Sequence, residues 1–143
     1  VAKLLDNEAI EWVVELKVDG VAMSLTYEHG VLTRGVTRGN GRVGDDVTHN
    51  VRTLESVPLR LLGDDVPALL DVRGEVYMTN SDLVEFNAEQ TARNEPVLAN
   101  TRNGSAGAIR LLDPRECARR RLRFASKKVT MNLKIARCYS KSM

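Results

Sequence analysis

Lys17 stands between two carboxylates in the run "ELKVDG", with Glu15 and Asp19 flanking it at one residue's distance and Gly20 closing the run. A lysine inside an otherwise apolar extended stretch needs a reason, because burying an ammonium is costly unless it is paired. Two chemistries fit. The first is an ion pair with a neighbouring carboxylate, which contributes little at a surface. The second is nucleophilic: the amine attacks an electrophile once it has lost its proton. With a reference pKa near ~10.4, only about one lysine in a few thousand is neutral at pH 7. Burial or a nearby cation raises that fraction. Gly20 would let a neighbour approach the backbone closely.

Four further residues gain a role only through a resemblance to a known family: Arg38 in "VTRG", Glu75 in "VRGEVYM", and Arg102 and Arg110 in "ANTRNGSAGAIRLLDPR". Arginine presents a rigid fork of donors to phosphate oxygens. An ionised carboxylate only accepts, which suits a sugar hydroxyl. Each has a purely structural reading as well. Arg38 could pair with Glu28 across a hairpin. Glu75 could be an exposed strand residue beside Arg73, and Arg102 and Arg110 plain surface arginines. Asp45 and Asp46 read as helix-start residues rather than metal ligands. The "GNG" of residues 39–41 is a flexible turn and not a phosphate cradle, since no Gly-Lys-Ser/Thr follows. His29 and His49 are too isolated for a metal or a triad, so no metal ligand is assigned. Cys117 and Cys138 lack Cys-x-x-Cys spacing and read as free thiols in a reducing compartment.

The elements that must position these residues are legible in the patterning. "WVVELKV", residues 12–18, reads as a strand. Val21, Met23, Leu25 and Tyr27 alternate with Ala22, Ser24, Thr26 and Glu28, the period of a half-buried strand. "EHG" at 28–30 turns the chain, and "VLTRGVTR" returns as the second arm of a hairpin. "GNGRVGDD" is a loop, and a short helix follows through "VTHNVRTL". "GDDVP" at 63–67 is a turn. "ALLDVRGEVYM" reads as a strand with a bend at Gly74. Thr79 and Asp82 have capping-box spacing ahead of a helix through "LVEFNAEQ". A short helix is expected near Ser105, stopping before Pro114. "RECARRRLRF" is a basic segment leading into a last apolar run; its arginines are read as either a DNA-phosphate contact or a solvated face. Together these give an α+β protein with antiparallel strands.

The bulk numbers agree with a globular domain. The chain has 143 residues, 43% hydrophobic and 28% charged, enough for one domain with a core. The net charge of +2 hides an asymmetry: residues 1–71 hold 7 Lys/Arg against 12 Asp/Glu, and residues 72–143 hold 14 against 7. The second half is therefore a candidate phosphate-facing surface. No apolar run is long enough to span a membrane, and no signal peptide is visible at Val1. A chain opening on Val1 is expected to be a piece of a longer one.

"ELKVDG" resembles the Lys-x-Asp-Gly motif of covalent nucleotidyltransferases: DNA ligases, RNA ligases and mRNA capping enzymes. "TRGNGRVGDDVTHNVRT", "LDVRGEVYM" and "ANTRNGSAGAIRLLDPR" are similar to successive signature blocks of bacterial NAD-dependent DNA ligases, in that family's order. The resemblance runs from about Trp12 to Phe124. It implies a truncated antiparallel-sheet nucleotidyltransferase core of the ATP-grasp-like ligase adenylation type. Residues 1–124 would be part of that adenylation domain and 125–143 a divergent or truncated tail. It implies that Lys17 attacks the adenylyl phosphorus of NAD, expels nicotinamide mononucleotide and carries AMP. Glu15 would contact the adenine, Asp19 would orient the lysine, and Gly20 would leave room for the nucleotide. Arg38 would touch the sugar–phosphate, and Glu75 would accept from a ribose hydroxyl. Arg102 and Arg110 would serve the steps on nicked duplex DNA. Mg²⁺ is expected at the phosphate, with a monomeric state and a cytoplasmic location.

The sequence departs from the family in three ways. Asn40 stands where the family usually has Asp. Thr101 replaces its Pro, and Gly104–Ser105 replace small alanines. The domain that binds the nicotinamide half of NAD, the later lysine motifs and the zinc module have no counterpart here. The 143 residues alone are therefore expected to form a lysyl–AMP adduct inefficiently. Two readings compete: an ATP-dependent ligase or GTP-using capping enzyme, and a non-catalytic remnant that binds nucleic acid through its basic half.

Overall fold

A computed structural model describes residues 14–63 and 65–131 of the chain. Eight elements follow in order: β1 (Val21–Glu28), β2 (Val31–Thr37), α1 (Thr48–Val51), β3 (Leu69–Tyr77), α2 (Asn80–Ala92), α3 (Thr101–Ala108), α4 (Pro114–Ala118) and β4 (Arg123–Met131). The strands form one antiparallel sheet in the order β2-β1-β3-β4. This is the α+β architecture with antiparallel strands expected from the patterning. No helix among the described residues is long and apolar enough to cross a membrane.

The period-two alternation of β1 divides the sheet into two faces. Met23, Leu25 and Tyr27 are buried and join Leu32, Leu70 and Val76. The short helices cover this face and close the core with Val51 of α1, Ala108 and Ile109 at the end of α3, and Cys117 of α4. Ala22, Ser24 and Thr26 point to the other face, where they meet Glu75, Arg73 and Asp71 of β3 in register. The hairpin turns through His29 (φ 48°) and Gly30 (φ 78°), as "EHG" implied.

Caps set the helix ends. Thr79 and Asp82 form the reciprocal capping box at the start of α2. Asp113 caps α4 ahead of Pro114. α3 starts at Thr101, four residues before Ser105, because the Asn100 side chain accepts from the Asn103 backbone N–H at 2.8 Å. Ser105 is fully buried and satisfied, donating to Thr101 O at 2.7 Å.

The strand expected over residues 12–18 is not formed where it is described. Residues 14–19 carry no regular structure, and Trp12 and Val13 lie outside the described residues. A strand needs a hydrogen-bonding neighbour, and β2 and β3 occupy both edges of β1. Val14 and Leu16 are consequently 93% and 87% exposed, and Lys17 is exposed rather than buried.

The irregularity beside Gly74 lies in β4 and not in β3, which pairs with β1 without a break. The β3–β4 register shifts there, leaving Lys127 as the extra residue of a bulge between Ser126 and Lys128. A Cβ at Gly74 would lie 2.2 Å from Ala125 O and 2.6 Å from the Phe124 ring. Gly74→Ala should therefore destabilise the chain by about 1–3 kcal/mol, the usual cost of overpacking. Gly107, exposed in α3, has nothing within 4 Å of a Cβ. Gly107→Ala should stabilise by about 0.5–1 kcal/mol through lower unfolded-state entropy. Urea-denaturation midpoints of the two variants should move in opposite directions.

Candidate functional site

Two neighbouring strands and one extra hydrogen bond build a row of side chains across the sheet. The Arg38 N–H donates to Ala22 O at 2.8 Å, which prolongs the β1–β2 ladder by one residue. Ala22 is opposite Glu75, and Glu75 is opposite Ala125. The row runs Arg38, Ala22, Glu75, Ala125. The Ala22 methyl leaves space between the Arg38 cation and the Glu75 carboxylate, and Ala125 flanks Glu75 on its other side. Arg38 therefore does not face Glu28, which pairs with Val31 at the far end of the hairpin.

Three adjoining hollows open over this row. One of about 220 Å³ is lined by Lys17, Asp19, Gly20, Arg38, Glu75, Arg102 and Lys127 among others. One of about 360 Å³ extends along the open face past Ser24, Arg73 and Gly74. One of about 200 Å³ lies at the end of the sheet, between Arg38, Gly39, Arg102 and Arg110. Seven of the eight residues expected from the sequence thus line two adjoining hollows that share Gly20, Ala22, Arg38 and Arg102. Glu15 does not; it is exposed on the extended segment, two residues before Lys17.

The geometry at the lysine is a local one. The Lys17 ammonium donates to the Asp19 carboxylate, and both side chains are largely exposed. That hydrogen bond and the lysine's charge hold the Asp19 carboxyl below the usual carboxylate range, with Arg102 and Lys127 adding to the effect. Gly20 admits a close backbone neighbour, as its place in the sequence implied. A Cβ there would meet Val76 O at 2.1 Å, so β3 itself takes the room. This contact fixes where the Lys17–Asp19 segment enters β1.

Glu75 is mostly buried, its side chain 19% exposed, and lies 3.6 Å from the Lys127 ammonium. Lys127 escaped the sequence reading. Nothing in "RFASKKV" marks one lysine over the other, and only the bulge turns Lys127 toward the cleft. Asp45 also has a different role from the one expected. It accepts from Arg110 Nε at 2.8 Å, while Arg110 Nη1 donates to Ala106 O at 3.1 Å. Asp46 is the helix-start residue, accepting from the Thr48 N–H at 3.0 Å. Asn40 Oδ1 accepts from the backbone N–H groups of Arg42 and Val43, both at 2.9 Å. That role needs one acceptor oxygen, which asparagine supplies as well as aspartate would.

The arginine run is occupied. Arg119 meets Glu89 and Glu116, Arg121 meets Glu85, and Arg123 meets Asp82. Arg120 lies 4.1 Å over the Phe86 ring, and burial lowers its pKa. No group of three or more His, Cys, Asp or Glu side chains that could hold a metal ion occurs among the described residues.

The chain matches the family model described as NAD-dependent DNA ligase adenylation domain over residues 1–141. It is similar to proteins named DNA ligase. The Rhodopirellula baltica protein is 48% identical over 134 residues, covering 87% of this chain and 19% of that protein. The Zymomonas mobilis protein is 50% identical over 121 residues, covering 85% and 17%. A Xanthomonas oryzae pv. oryzae protein is 56% identical over 118 residues, covering 82% and 14%. The chain spans less than a fifth of the length of these relatives.

Asp45 offers a titration test. Its hydrogen bond from Arg110 holds its carboxyl below the ordinary value, about 3.9. A depressed folded-state pKa contributes stability that is present above the unfolded value and lost as pH falls through the folded one. The Asp45 carboxyl, followed by NMR, should therefore titrate below about 3.9. Arg110→Ala should raise that midpoint toward the ordinary value; an unchanged midpoint would rule out the pairing.

Proposed function

The chain belongs to the NAD-dependent DNA ligase adenylation-domain family, and from that membership we propose that it forms the nucleophile-bearing, adenosine-binding part of such a domain, in a nucleotidyltransferase fold. The observation that carries this reading is the convergence of Lys17, Asp19, Arg38, Glu75 and Arg102 on one hollow, although the five come from four separate segments of the chain. Phosphoryl transfer asks mainly for positioning and charge neutralisation, and these residues are of the right kinds for both.

In this reading the Lys17 amine, once deprotonated, attacks the adenylyl phosphorus of NAD. The new N–P bond forms as the pyrophosphate P–O bond breaks, and nicotinamide mononucleotide leaves. Arg38 and Arg102 neutralise phosphate oxygens, and Glu75 accepts from a ribose hydroxyl. Asp19 orients the ammonium to which it is already bonded. Glu15 reaches the adenine only if its segment folds over the cleft when the nucleotide binds. The substrate of the complete enzyme is nicked duplex DNA, in the cytoplasm, with a monomer as the acting unit.

Mg²⁺ fits this site in a limited way. The cleft offers two carboxylates, Asp19 and Glu75, and each already faces a lysine. This is too few for a protein-only cage and suits an ion held chiefly by nucleotide phosphate and water. Such an ion would neutralise phosphate charge. The reading as a nucleic-acid-binding remnant loses support, since Arg119, Arg121 and Arg123 are committed to carboxylates.

The test is label transfer from adenine-labelled NAD in the presence of Mg²⁺. The 143-residue chain should take up label slowly and substoichiometrically, and Lys17→Ala should abolish it. Grafted in place of the homologous stretch of the Xanthomonas oryzae relative, the same residues should label efficiently. Absence of Lys17-dependent label in both arms would overturn the proposal. Equal labelling from ATP would overturn its NAD specificity.

A further inference from the structure

Asp45 is an exposed acid paired with an exposed arginine, with side chains 59% and 44% accessible. Such a pair adds little to stability, yet its geometry is unusually constrained. The Asp45 N–H donates to Thr37 Oγ1 at 2.9 Å, and the Thr37 N–H donates to Asp45 O at 3.0 Å. Thr37 Oγ1 lies 3.3 Å from Asp45 Oδ2 as a second donor to it, and Thr37 itself is buried. The carboxylate is thus anchored to the end of β2 and holds Arg110 through Nε, while Ala106 O holds Nη1. Arg110 Nη2 makes no hydrogen bond among the described residues. The same end of the sheet carries the hollow that Arg110 lines with Arg38, Arg102 and Asn103. Three guanidinium groups around about 200 Å³ match a phosphate dianion.

We propose that Asp45 is a positioning residue: it pins the Arg110 guanidinium so that, with Arg38 and Arg102, its remaining edge takes a terminal phosphate monoester of a nucleic-acid strand. The choice of a nucleic-acid phosphate rests on the adenylation-domain reading; the arginine geometry does not. Without the carboxylate, Arg110 keeps its charge but loses its fixed fork.

The probes are a short oligonucleotide with a 5′-phosphate and the same strand with a 5′-hydroxyl. The ratio of their dissociation constants removes the contribution of the internal phosphates. The wild-type chain should prefer the phosphorylated end by on the order of tenfold, the scale of one or two charge-assisted bonds. Asp45→Ala, which keeps both backbone bonds to Thr37, should lose most of that preference. Asp45→Asn, which keeps an acceptor oxygen, should retain most of it. A preference that survives or grows in Asp45→Ala would make Asp45 a neutralising charge only and overturn the proposal. If Asp45→Ala does not fold, Arg110→Lys decides: retention of the full preference by a point charge overturns the fixed fork. The two possible failures are distinguishable. A wild-type chain that takes label on Lys17 but does not distinguish the two ends overturns the phosphate site alone. A chain that distinguishes them but takes no label counts against adenylylation alone.

Discussion

The register of β1 against β3 decides both faces of the sheet at once. Val21 to Glu28 pair with Val76 to Leu69 without a break. This puts Met23, Leu25 and Tyr27 into the core and Ala22, Ser24 and Thr26 over the cleft. A slip of one residue would exchange the two sets, because side chains alternate with a period of two. The exchange would expose three large apolar side chains and bury Ser24 and Thr26 in their place. The core therefore specifies the register, and the register brings Glu75 opposite Ala22 and next to Arg38. The cleft's geometry is a by-product of burying the other face. Gly20 belongs to the same constraint, since the β3 carbonyl beside it excludes any side chain and sets the point at which Lys17 and Asp19 arrive.

What could be read in advance follows from this. The alternation in β1, the "EHG" turn and the Thr79–Asp82 box are short-range signals, and each produced the element it implied. The failures came where the deciding partner is distant in sequence. Residues 14–18 have the composition of a strand, but no neighbour among the described residues pairs with them. Asp45 has the position of a helix-start residue, but Arg110, 65 residues away, claims it. Lys127 could not be singled out because a bulge, and not its residue type, turns it toward Glu75. The grouping of the site residues was legible chiefly through the resemblance of whole blocks, since Arg38, Arg102 and Arg110 taken singly read as surface arginines.

The charge asymmetry teaches a related lesson. The second half of the chain holds twice as many basic as acidic residues, which invited a phosphate-facing surface. Three of its arginines pair internally, but with acids of the same half, so the pairs localise charge without reducing the excess. Asp82, Glu85 and Glu89 lie along α2 at spacings of three and four, which places them on one side of the helix. Arg123, Arg121 and Arg119 meet them in reverse order as the chain passes from α4 into β4. Reading these arginines as a nucleic-acid surface counts their charge twice. Besides Lys17, the cations that line the cleft come from elsewhere: Arg38 at the end of β2, Arg102 in α3, Arg110 just beyond it, and Lys127 at the bulge.

These four cations differ in how firmly they are held, and the difference bears on what each can do. Arg110 is fixed by two hydrogen bonds, one to a carboxylate that is itself braced by a buried threonine. Arg38 is held by its backbone through the bond to Ala22, which leaves its guanidinium free to follow a ligand. Lys127 is a flexible point charge at 3.6 Å from Glu75, close enough to attract the carboxylate but too long for a firm hydrogen bond. A fixed fork discriminates by shape, whereas a mobile cation contributes charge wherever the ligand puts it. Under the proposed function, the cleft would carry its directional recognition at the Arg110 end and its adaptable charge around Lys17 and Glu75. That division suits a site in which a nucleotide must enter, lose its leaving group and still be held, while a second phosphate is met in one orientation only.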